Sequence, residues 1–133
     1  MIVIDSSALI AILRREPEAD LFLQIIATAE RCLLSAVSLL ETSMVLAGRI
    51  GDATSWTELD GLIARAGIQV VAQDAELAKA AREAFLRYGR GRHPAALNLG
   101  DCASYAIAEH HNLPLLFKGG DFSRTDLRAA TAG

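Results

Sequence analysis

Cysteine, proline and aromatic side chains are all scarce in this 133-residue chain. The two cysteines, Cys32 and Cys102, stand apart from each other, which excludes a disulfide framework and a clustered zinc site. Both are expected as small buried thiols. Three prolines and ten glycines rule out collagen-like and low-complexity sequence. No apolar run approaches the ~20 residues of a membrane-spanning helix. The opening Met1-Ile-Val-Ile-Asp5 puts an acid where a secretory signal requires basic and then continuously apolar residues. These absences lead to the expectation of a cytoplasmic protein with no membrane partner. A basic excess is lacking too: 13 Lys and Arg against 16 Asp and Glu leave a net charge of −3, which argues against a general nucleic-acid coat.

What the chain does have is alanine and leucine, 24 and 19 residues against 7 aromatics, and both favour a helix-rich core. The length fits one domain over residues 1–133. A chain of this size buries roughly two-thirds of its unfolded surface and needs no staple to fold.

The apolar pattern switches between two periods. Short runs at Ile2-Val3-Ile4, Cys32-Leu33-Leu34, Ile68-Gln69-Val70-Val71 and Leu115-Leu116-Phe117 suit strands buried on both faces, as in a parallel sheet. Helical stretches lie between them. Ser7 caps a first helix through Arg15, and Pro17 opens a second. A third runs from Val37 to about Ile50, ended by Gly51, and Leu59, Leu62, Ile63 and Ala66 mark a fourth ended by Gly67. Asp74 caps a fifth, with Leu77, Ala78, Ala81 and Phe85 on one face and Gly89 beyond its end. A sixth spans about Asn98 to His111, and residues from 125 onward read as a frayed tail. Alternating strands and helices predict a three-layer α/β/α domain with a central, mainly parallel sheet. In such a sheet the functional crevice lies beyond the carboxyl ends of the strands.

Acids gather at that edge. Asp5 follows the first strand, Glu41 lies in the first turns of the helix after the second, Asp101 begins the last helix, and Asp121 follows the fourth strand. Each has an ordinary explanation taken singly. Asp5 would cap a helix, Ser38-x-x-Glu41 and Asn98-x-x-Asp101 have capping-box spacing, and Asp121 suits an Asx-turn. Taken together, they would repel one another: like charges ~4 Å apart cost about 4 kcal/mol at an effective dielectric of 20. A divalent cation relieves that repulsion, and ligands made only of oxygen point to Mg²⁺ or Mn²⁺. The chemistry favoured is metal-assisted phosphodiester hydrolysis.

Four segments carry a family resemblance. Met1-Ile-Val-Ile-Asp5-Ser6-Ser7-Ala8 resembles the opening motif of PIN-domain nucleases, in which an Asp followed by Ser or Thr ends the first strand. Ser38-Leu-Leu-Glu41, Asn98-Leu-Gly-Asp101-Cys102 and Phe117-Lys-Gly-Gly-Asp121-Phe122 are similar to the remaining motifs, in the same order. The loop Tyr88-Gly-Arg-Gly-Arg-His-Pro-Ala-Ala-Leu-Asn98 is similar to one branch of the VapC toxins of bacterial toxin–antitoxin pairs.

The resemblance implies a metal-dependent endoribonuclease toxin that hydrolyses RNA with a metal-activated water. Asp5, Glu41, Asp101 and Asp121 would hold one or two Mg²⁺ or Mn²⁺ ions, supported through hydrogen bonds by Ser6 and Asn98. It also implies a homodimer and a small cognate VapB-like antitoxin. For that antitoxin, some of Leu9, Ile12, Leu13, Leu21 and Phe22 on the first two helices offer candidate groove residues, while most of the five are expected in the core. Arg87, Arg90, Arg92 and His93 around the glycine-rich loop, with Lys118 and Arg124 beside Asp121, are expected to grip the RNA backbone. Tyr105 is assigned packing alone. Two other classes compete. A receiver-type phosphoacceptor domain lacks its acidic pair here, since Ser6-Ser7 follow Asp5. A PIN scaffold that binds a partner without cleaving RNA is the alternative function.

Overall fold

The computed structural model describes residues 1–50 and 54–131. Among them, β1 (Ile2–Ile4), β2 (Cys32–Ser35), β3 (Gln69–Val71) and β4 (Leu115–Leu116) form one parallel sheet in the order β3-β2-β1-β4. Ile4 is in register with Leu34 on one side and with Leu116 on the other, so the N-terminal strand is central. Six helices cover the sheet: α1 (Ser6–Leu13), α2 (Ala19–Thr28), α3 (Ala36–Ile50), α4 (Thr54–Ala66), α5 (Ala75–Tyr88) and α6 (Leu99–His111).

Strand alternation builds the layers. Ile2, Ile4, Leu34 and Leu116 point into a cluster with Leu9, Phe22, Leu46 and Leu59 from α1 to α4. Val3, Leu33 and Leu115 point the opposite way, onto Leu77, Ala84, Tyr105 and Ile107 of α5 and α6. Two apolar faces explain why the β1 and β2 runs are continuously hydrophobic, and the expected three-layer α/β/α architecture is the one observed.

Several boundaries differ from expectation. The first helix begins at Ser6, and its cap is Asp5 rather than Ser7. Pro17 lies in the turn before α2, which starts at Ala19. Ser38 sits inside α3; the oxygen that accepts from the Val37 N–H at its start is Ser35 Oγ. Asp74 and Asn98 do cap α5 and α6. Within α5, Leu77 and Ala84 face the core, whereas Ala78 and Phe85 are exposed. β3 is an edge strand whose side chains are largely exposed, not buried on both faces. The stop at Gly51 lies outside the described residues.

The expected frayed tail is corrected over residues 125–131, its last two positions lying outside the described residues. After a 3₁₀ turn at Phe122–Arg124, the backbone returns along the free edge of β4. Leu115 N donates to Arg128 O at 2.9 Å, Ala130 N donates to Leu115 O at 2.8 Å, and Leu127 and Ala130 pack on the core. β4 is only two residues long, and this added pairing satisfies backbone groups that its outer edge would leave open.

Candidate active site at the carboxyl edge of the sheet

Asp5 directly follows β1 and stands almost fully buried, at 1% exposure. Its Oδ2 accepts from the Ser7 N–H at 3.0 Å and the Ser7 hydroxyl at 2.7 Å. Its Oδ1 accepts from the Ser104 hydroxyl at 2.7 Å. Ser104 in turn lies 3.1 Å from Ser38 Oγ, and because its own proton goes to Asp5, Ser38 is the donor between them. Burial raises the Asp5 pKa despite these bonds, which act in the opposite direction.

Glu41 projects from α3 half-buried, and its Oε1 accepts from the Ser6 hydroxyl at 2.6 Å. The start of α6 passes very close. A Cβ added at Gly100 would stand 2.7 Å from Glu41 Oε2 and 2.8 Å from its Cδ, so any larger residue there would displace the Glu41 carboxylate. Asp101 follows. Its Oδ2 accepts from Asn98 N at 3.1 Å while Asn98 Oδ1 accepts from Asp101 N at 2.9 Å, a complete capping box. Burial pushes the Asp101 pKa up to about 7, and the neighbouring Asp5, Asp121 and Glu41 carboxylates push the same way. Asp121 is exposed beyond β4, after Gly119 and Gly120, and its side chain makes no cap bond to the following 3₁₀ turn.

The structure therefore brings Asp5, Glu41, Asp101 and Asp121 to one edge, with Ser6 and Asn98 bonded to two of them. Among the described residues, no three His, Cys, Asp or Glu side chains close up into a preassembled metal cage. The donor set still fits a hard divalent ion that keeps several of its waters: it is oxygen-only, and three like charges raise the Asp101 carboxyl in a way that a cation would relieve. Ser7, Ser38, Gly100 and Ser104 belong to this site as well, and the motifs alone assign them no part in it. Ser104 lies three residues beyond Asp101, on the same face of α6, and that spacing is the signal that could have found it.

The basic residues divide. Arg87 is spent within the chain: Nη1 donates to Glu109 at 3.0 Å and Nη2 to Asp126 at 3.3 Å, and the guanidinium lies over the Tyr88 and Tyr105 rings. The buried Tyr105 hydroxyl donates its proton to Asp126 and lies 3.0 Å from Glu109 Oε2, a role well beyond packing. Lys118 Nζ pairs with Glu16 at 2.5 Å and Glu18 at 3.1 Å. Arg90, Arg92 and Arg124 are exposed, whereas His93 uses Nδ1 to accept from Ala95 N and packs edge-on to Tyr88. The loop tip bearing Arg90 and Arg92 is closed by bonds between Arg90 N and Leu97 O and between Leu97 N and Tyr88 O.

The PIN-domain family model matches residues 2–127. The chain is 49% identical to a ribonuclease VapC of Mycolicibacterium smegmatis over 127 residues, covering 96% of this chain and 98% of that one. It is 46% identical to ribonuclease VapC30 of Mycobacterium tuberculosis over 125 residues, covering 94% and 95%. Among solved structures, VapC20 of Mycobacterium tuberculosis, a sarcin–ricin loop cleaving toxin, superposes with a TM-score of 0.74 at 19% identity, covering 96% of this chain and 99% of that one. VapBC2 of Rickettsia felis, bound to a DNA fragment from its promoter, gives 0.75 at 16% identity, covering 97% of each chain. At these identities the two structures speak for the fold alone. The matched motifs, the sheet-edge carboxylates and identity of 46–49% over nearly the whole chain place this protein in the PIN-domain family, among the VapC ribonucleases.

Proposed function

We propose that this chain is a divalent-metal-dependent endoribonuclease and the toxin of a toxin–antitoxin pair. The observation that carries the reading is the sheet-edge site, where burial and three neighbouring carboxylates raise Asp101 to about 7. Asp5, Glu41, Asp101 and Asp121 would hold Mg²⁺ or Mn²⁺. A bound ion supplies an acidified water and neutralises charge gathering on the phosphate.

The chain's own residues hold that site in shape. Ser7 and Ser104 fix both Asp5 oxygens, Ser6 fixes Glu41, and the Asn98 capping box fixes Asp101. Arg90, Arg92 and Arg124 are exposed cations that would meet RNA phosphates, with His93 beside them, while Arg87 and Lys118 are engaged in intramolecular pairs. A groove of about 480 Å³ lined by Ile12, Leu13, Leu23 and Leu62 together with Arg15, Glu58 and Arg65 would take an amphipathic antitoxin helix. Exposed Phe85, Leu86 and Leu99 offer apolar surface for a second copy. Among the described residues no helix is long and apolar enough to cross a membrane.

Purified protein incubated with a mixed RNA pool and Mn²⁺ is expected to cleave it. Chelator, or Asp5→Asn in a protein of unchanged fold, should abolish cleavage. Cleavage that survives both treatments would overturn the reading, and no cleavage in any tube would favour a partner-binding scaffold.

A further inference from the structure

We propose that Ser7 is a positioning residue that sets where Asp121 stands relative to Asp5. Its hydroxyl joins two parts of the site. The single proton goes to Asp5 Oδ2 at 2.7 Å, and the oxygen accepts from the Lys118 N–H at 3.0 Å, across 111 residues of sequence. Asp5 cannot drift to follow a displaced loop, because Ser104 holds its other oxygen.

The loop beyond Lys118 has one internal tie, the Ser123 hydroxyl donating to Gly120 O at 2.6 Å, and, among the described residues, no bond of its own to the other site carboxylates. Gly119 takes a left-handed φ of +104° with open space around it, and Gly120 follows. Asp121 makes no cap bond, so its placement is inherited from its flanks. Downstream the anchor is the buried Phe122 ring against Phe117. Upstream it is Lys118, tied through its backbone to Ser7 and through its ammonium group to Glu16 and Glu18. Of these ties, the Ser7 hydroxyl alone also touches another of the site carboxylates.

Helix capping does not account for this hydroxyl. The bond that caps α1 comes from the Ser7 N–H to Asp5, and an alanine at position 7 would keep it. Ser7→Ala therefore removes the link to the loop and spares the cap. Ser7→Thr restores a hydroxyl at the same position.

This inference rests on the divalent-ion reading of the site, so the test reads ion binding separately from cleavage. The intact protein, Ser7→Ala, Ser7→Thr and Asp5→Asn are titrated with Mn²⁺ by electron paramagnetic resonance, and amide exchange at Lys118 is followed by NMR. Ser7→Ala should weaken Mn²⁺ binding by about tenfold or more, as loss of a ligand's hydrogen-bond support does, and speed exchange at Lys118 N–H. Ser7→Thr should recover both. In the unaltered protein, saturation with diamagnetic Mg²⁺ should slow Lys118 exchange, a readout that needs no variant to fold. Tight Mn²⁺ binding by a folded Ser7→Ala, or Lys118 exchange indifferent to Mg²⁺, would overturn the positioning role and leave the site reading standing. Absence of Mn²⁺ binding by the unaltered protein would overturn the site reading itself, and this inference with it.

Discussion

Asp101 makes stability depend on acidity. Its ordinary pKa is 3.8, and in the folded chain burial and its carboxylate neighbours push it up to about 7. Between those values the folded chain holds a proton that the unfolded chain has released. The stabilising contribution is therefore complete below about pH 4 and is lost as the pH climbs through about 7. Asp5, also raised by burial, acts in the same direction. Thermal melts of metal-free protein should show a lower Tm at pH 8 than at pH 5, and Asp101→Asn should flatten that slope. Mn²⁺ affinity should move the opposite way, strengthening as the pH passes 7, because the ion competes with the proton. A metal-free Tm that rises from pH 5 to pH 8 would contradict this account. The four acids are legible in the sequence because each sits at a strand end or helix start. Ser104 shows itself only through its spacing from Asp101, since the carboxylate it serves lies 99 residues away, and nothing local marks the bond from Lys118 N to Ser7, 111 residues apart.

The element whose meaning the structure changes most is the C-terminal segment. Residues 125–131 carry no alternating apolar run, so nothing in their pattern announces that they line β4. What secures them is the backbone pairing at Leu115 and a clasp in which Asp126 meets the Tyr105 hydroxyl and the Arg87 guanidinium. The intramolecular pairs of Arg87 go unannounced for the same reason: its partners lie 22 and 39 residues away, beyond any local pattern. The clasp predicts a graded loss. Hydrogen bonds to charged groups are worth about 1.5–3 kcal/mol; the Tyr105 ring is fully buried, while its carboxylate acceptors are about half exposed, which puts this pair at the low end. Tyr105→Phe should therefore lower Tm by several degrees and open the segment after Phe122 to limited proteolysis, with Asp126→Asn milder. Unchanged protease resistance in Tyr105→Phe would mean the edge pairing holds the segment unaided. By contrast, the caps at Asp74 and Asn98 and the β1 and β2 runs are legible because their causes are local.

For the whole molecule, the net charge of −3 conflicts with RNA binding only while the site acids are counted. With those four set aside, 13 cationic side chains face 12 anionic ones, so the acidity is concentrated at the site. RNA affinity should accordingly depend on the ion. A nuclease-resistant phosphorothioate RNA should bind markedly tighter with Mn²⁺ than with chelator. Replacing both Arg90 and Arg92 with Ala should shallow the slope of log K against log salt by about 0.7 for each phosphate the loop no longer neutralises. Equal affinity with and without the ion would remove the electrostatic argument.

The strand order also has a temporal consequence. β1 is made first, yet its two neighbours in the sheet are β2 and β4, the latter more than a hundred residues later in the chain. Pairings of such long sequence separation form late in folding. A growing polypeptide that has passed Glu41 but not reached Leu115 lacks both the strand that flanks β1 and the loop that bears Asp121. A site that needs Asp101 and Asp121 beside Asp5 would thus stay incomplete through most of the chain's synthesis, and be assembled only once nearly all of it has been produced.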